Sequence, residues 1–145
     1  MEGFLLNEIS SELIDAYQAT LYCVTSSDPA FVLRIGEHSA ELAALYRRAD
    51  CFSATFITAW NPHGKQLTTE ENETRQRQLV SLLASQGVRF YSGEGVSADG
   101  TWREPSLLIA GMDQFRSEAL ALQSEQNAFV FCGADAVPRL MLCSR

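Results

Sequence analysis

Phe56-Ile57-Thr58-Ala59-Trp60-Asn61-Pro62 reads as a buried strand, spanning 52–60, that ends in a polar Asn-Pro turn. Thr68-x-x-Glu71 then forms a capping box, opening a long helix that Gly87 stops. The core stripe of that helix runs through Leu79, Leu82 and Leu83. Three and four residues earlier, the same face carries Arg75, Gln76 and Asn72. Thr74, Gln76, Arg77 and Gln78 also read as a solvated polar run. Polar groups at interior positions are costly unless paired, so this cluster is either a structural lock or a site.

Outward from this strand–turn–helix unit, strand and helix signals interleave. A first helix is expected over about Glu8 to Ala19, with Ile9, Leu13, Ile14 and Tyr17 on one face. Residues 20–24 and 31–35 read as strands, and Ser39 caps a helix to about Arg48 that buries Leu42, Leu45 and Tyr46. Strands at 88–91 and 106–110 flank an excursion through Asp99-Gly100. A helix from Asp113 to about Glu125 is expected to bury Phe115, Ala119 and Leu122, with strands at 128–132 and 140–143 after it. Three neighbouring strand pairs look like hairpins. The pattern therefore predicts an α+β fold: one domain over 1–145, with a mixed or largely antiparallel sheet of about 5–7 strands and about four helices packed on it.

The chain has 145 residues, 46% of them hydrophobic, which suits one globular domain with a sizeable core. No apolar run is long enough to span a membrane, and the N-terminus lacks the form of a signal peptide, so a cytoplasmic protein is expected. The net charge of −7 and scattered Lys and Arg argue against duplex nucleic acid as a partner. Cys23, Cys51, Cys132 and Cys143 have no metal-ligand spacing with one another or with His38 and His63; they read as core or inert thiols, and no metal is expected.

Two stretches carry candidate chemistry. At the helix start, Arg75 could hold a carboxylate or phosphate through its guanidinium fork, with Asn61 and Asn72 orienting the anion. In the second, Gly93-x-Gly95 permits unusual backbone angles or close approach of a ligand. Glu104, extended before Pro105, could then pair with Arg75 or move a proton beside Ser106. Trp102 could stack on a ligand or form an aromatic lid over the sheet edge. His63, in the Asn-Pro-His-Gly turn, is a weaker candidate base. Alternation along 52–60 puts Thr58 and Trp60 on one face and Asn61 on the other, with Pro62 holding Asn61 extended.

The motifs at 56–62, Glu71-Asn72 with Arg75, Asp99-Gly100-x-Trp102-x-Glu104-Pro105-Ser106, Gln126-Asn127-Ala128 and Pro138-Arg139-Leu140 form an ordered series. Over about Tyr17 to the C-terminus it resembles the domain-of-unknown-function family 3293 (DUF3293), small proteins found mainly in proteobacteria. The resemblance implies no established activity, and the cofactor stays unknown. Its pattern singles out Asn61, Asn72, Arg75, Glu104 and Ser106, and it leaves His63 variable. Two functions then stand side by side. The leading one is a small anionic ligand in a polar pocket near Asn61, Arg75 and Glu104, with Glu104 the candidate catalytic group if the protein is an enzyme. The rival is a non-catalytic interaction or regulatory module, in which the cluster is structural and a strand edge meets a partner or a second copy.

Overall fold

A computed structural model describes residues 9–143. The elements run α1 (Ser11–Ala19), β1 (Leu21–Val24), β2 (Phe31–Leu33), α2 (Ala40–Ala49), β3 (Ala54–Ile57), a short turn of 3-10 helix (Pro62–Gly64), α3 (Thr69–Ser85), β4 (Phe90–Val96), β5 (Arg103–Ala110), α4 (Gln114–Gln123), β6 (Ala128–Cys132) and β7 (Pro138–Leu142). The seven strands form one sheet in the order β2-β1-β4-β5-β3-β6-β7, and every neighbouring pair is antiparallel. The fold is α+β, as the hairpin-like spacing implied. The sheet curls until its edges meet at one end: just beyond β2, Gly36 N–H donates to the carbonyl of Pro138 on β7.

Local signals set the helices where the sequence placed them. Ser10, Ser39, Thr68 and Asp113 each accept a first-turn amide, and Thr68 and Glu71 close the reciprocal capping box. The first helix is expected from Glu8, which lies outside the described residues, but α1 starts only at Ser11: Ser10 is its extended N-cap, so Ile9 precedes the helix instead of joining its apolar face. Gly87, at φ +69°, ends α3 in the left-handed conformation a glycine adopts without strain.

Alternation along the strands divides the core between the two faces of the sheet. On the concave face Val24, Leu33, Ala54, Leu108 and Cys132 pack against Leu42, Leu45 and Tyr46 of α2. On the convex face Ile57, Leu107, Ile109 and Phe129 meet Leu79 and Leu83 of α3 and Leu120 and Ala121 of α4.

Three expectations need correction. The helix α4 buries Ser117, Leu120 and Ala121, whereas Phe115 (82% exposed), Ala119 and Leu122 face outward. The cause is Ser117, fully buried with its hydroxyl 2.6 Å from that of Thr55 on β3. A satisfied interior serine rotates the helix away from the phase its hydrophobic residues suggest. The strand expected over 52–60 is only Ala54–Ile57, while β4 and β5 extend through Gly93, Gly95, Glu104 and Ser106. Neither glycine has a positive φ. A Cβ at Gly93 would lie 2.3 Å from the carbonyl oxygen of Cys23, so this glycine lets β1 and the Phe56 ring approach.

Candidate functional site

The ends of β1, β3, β4, β5 and β6 that meet at one side of the concave face are not covered by α2. There the groove opens into a cavity of about 610 Å³, roofed by Leu13, Ala16 and Tyr17 of α1, a volume in the range of small-molecule sites. Tyr22 and Phe56 pack edge to face, ring centres 5.2 Å apart, and separate the cavity from the core around α2. Gly95, Glu104 and Ser106 project from β4 and β5. In register, Gly95 faces Glu104 and Gly93 faces Ser106.

Glu104 dominates the chemistry of this space. Among the described residues, no hydrogen bond or ion pair is made by its carboxyl, and burial in the apolar wall pushes its pKa up to about 8. Among the described residues, no lysine, arginine or histidine lines the cavity. The other acid on its wall, Asp99, is exposed in the β4–β5 turn, where Thr101 and Ser97 hold its carboxylate down at about 2. Ser106 is buried, and its hydroxyl donates to the carbonyl of Glu104 at 3.0 Å. Trp102, 43% exposed, lies over Gly95. Burial also raises the Tyr22 phenol, which donates to the carbonyl of Tyr17.

Asn72 and Arg75 belong to a different structure. The Asn72 side chain, 2% exposed, accepts from Asn61 N–H at 2.8 Å and donates to Asn61 Oδ1 at 2.8 Å. Arg75 donates to the carbonyls of Ala59 and Ser124, each at 2.8 Å, and pairs with Glu125 at 3.2 Å. Gln76, half-buried instead of solvated, accepts from Ala59 N–H, and Gln126 donates to the carbonyl of Trp60. These side chains clamp the backbone of residues 59–61. Asn61 is left-handed at φ +47°, a conformation asparagine tolerates, and not extended as its position before Pro62 suggested. Trp60 Nε1 and Gln76 Nε2 are buried there without a partner among the described residues.

The six residues picked from the sequence therefore fall into two groups. Trp102, Glu104 and Ser106 line the cavity; Asn72 and Arg75 do not; Asn61 lines its rim and belongs to the clamp as well. Among the described residues, the cavity wall carries no positive charge for the anion expected at Arg75. Thr58, Trp60 and Asn61 all reach the cavity because the strand ends at Ile57, so alternation no longer separates them. His63 is exposed, left-handed and 3.8 Å from Glu125, away from the cavity wall. Sequence reading missed Tyr17, Thr20 and Tyr22 from the N-terminal segment and Ala128 and Val130 from β6. Strand pairing sets Tyr22 beside Gly95, the register partner of Glu104, whereas Ala128 and Val130 come from the far side of the curled sheet; Gln126-Asn127-Ala128 was the one sequence signal among them.

The model of one family, described as a protein of unknown function (DUF3293), matches residues 57–129. Since this is half of the chain and contains all six residues, the chain belongs to that family. No curated protein and no solved structure matches it.

Proposed function

We propose that this member of the DUF3293 family binds a small molecule in the cavity at the open end of its curled sheet, with Glu104 as the polar anchor. One observation carries the reading: a carboxyl without a partner among the described residues lines a cavity of about 610 Å³ otherwise walled largely by aromatic and aliphatic side chains. A desolvated, unpaired carboxyl costs stability, and sites are where such costs are retained. With its pKa near 8, Glu104 can give or take a proton close to neutral pH, so the same geometry would support general acid–base chemistry on a bound molecule. The clamp on residues 59–61 acts at a distance from any ligand, by fixing the rim that carries Trp60 and Asn61.

An interaction module is favoured by a different observation, the outward stripe of Phe115, Ala119 and Leu122 on α4. The two readings separate in a ligand-observed NMR screen of a small-fragment library against the wild type and Ala128→Phe, which adds a ring on the cavity wall. Fragments that bind the wild type and are displaced by the added ring support the cavity as the site. A fragment set whose binding is unchanged by Ala128→Phe, in a variant that remains folded, overturns that reading.

A further inference from the structure

The charges and rings of the cavity wall specify more than a small molecule. Its two carboxyl groups, Glu104 inside and Asp99 in the exposed turn, share the wall with no lysine, arginine or histidine among the described residues. Four aromatic residues share the wall with them, Trp60 and Trp102 from the loops and Tyr17 and Tyr22 from α1 and β1. Aromatic faces attract cations through the ring quadrupole, and a desolvated carboxylate is best satisfied by a charged hydrogen-bond donor. The protein's net charge of −7 draws cations to its surface as well. An anion entering here would meet no cationic side chain among the described residues.

We propose that the cavity takes an organic amine, its ammonium group seated on Glu104 and its apolar body lying along the aromatic wall. The inference rests on the cavity being the binding site and adds the class of ligand. Seating the ammonium requires Glu104 to be ionised: the neutral carboxylic acid and the ammonium ion become a carboxylate–ammonium pair, and one proton leaves to solvent. Binding therefore strengthens with pH until the free carboxyl is already ionised. The other titratable groups on the cavity wall among the described residues are Tyr17 of α1, Tyr22 of β1 and Asp99 of the β4–β5 turn. Asp99 is ionised throughout the neutral range, and burial keeps Tyr22 protonated. Arg103, next to Glu104 in β5, projects to the opposite face of the sheet, where it pairs with Glu94.

The test is calorimetric titration at moderate salt with three probes of one skeleton: phenylpropylamine, phenylpropanol and phenylpropanoate. The amine is expected to bind at least about tenfold tighter than the other two at pH 8.5, an order typical of one charge-assisted hydrogen bond. Its affinity should rise by about tenfold per pH unit from 6 to 7.5, with release of one proton read from buffers of different ionisation heat. Glu104→Gln should remove both the preference and the pH dependence. Equal binding of all three probes, with all three lost in Ala128→Phe, overturns the amine and leaves the cavity standing. Amine binding that survives both substitutions overturns the amine and the cavity together. A wild type that binds none of the probes, or whose amine affinity is flat with pH, also overturns the inference, and this measurement needs no variant to fold.

Discussion

Asn72 and Glu104 are both polar groups that the fold draws inward, and they are treated in opposite ways. Asn72 is 2% exposed and both ends of its amide are satisfied by Asn61, while Arg75 beside it spends its guanidinium on two carbonyls and a surface carboxylate. Glu104 has no partner among the described residues, and its proton affinity is raised accordingly. The paired cluster holds a loop; the carboxyl of Glu104 has no such partner among the described residues and carries the proposed site. Interior polarity alone does not mark a site, and the state of its hydrogen-bond ledger separates the two cases.

Three substitutions probe that contrast, beginning with the largest expected change. Arg75→Met removes the donors to Ala59 and Ser124 and should cost about 3 kcal/mol in a urea titration, the loss of two charged hydrogen bonds to partly buried carbonyls. Its ionic partner Glu125 is 51% exposed and is not stranded, so the loss should depend little on salt. A change below about 0.5 kcal/mol would remove the clamp from this account.

Glu104→Gln should act in the other direction. In the unfolded chain this carboxyl ionises near pH 4.3, in the fold only near 8. Between the two the folded state holds a proton that the unfolded chain has released. Its favourable contribution is thus complete below about pH 4.3 and lost as pH rises through 8. The amide cannot ionise, so the variant should match the wild type at pH 4. At pH 9 it should exceed it by about 2 kcal/mol, less than full linkage because the side chain is only half-buried. Parallel stability curves from pH 4 to 9 would show that Glu104 is not desolvated.

The smallest effect belongs to Phe115→Ser, expected to change stability by less than about 0.5 kcal/mol, because the ring is 82% exposed. A buried stripe through Phe115, Ala119 and Leu122 would instead give a loss of about 3 kcal/mol or more, so one melt distinguishes the two phases of α4.

Much of this architecture was legible from local chemistry. The capping box at Thr68 and Glu71 and the glycine stop at Gly87 mark the long helix. The hairpin-like spacing of short apolar runs indicates the antiparallel sheet. The errors have particular causes. A hydrogen bond between Ser117 and Thr55, 62 residues apart, sets the phase of α4. Side chains of α3 pull residues 59–61 out of the strand. Neither partner is visible from the segment whose conformation it decides.

The sequence by itself determined the starts of α2, α3 and α4, the fold class and the six residues on which polar function was expected, because caps and periodicity act within a few residues. Tertiary structure alone decided which of those six are paired. It brought Asn61, Asn72 and Arg75 together as a clamp and set Trp102, Glu104 and Ser106 on the wall of a cavity closed by α1 and β6. The reason is that satisfaction and desolvation depend on neighbours distant in the chain, and only the curl of the sheet supplies those neighbours or withholds them.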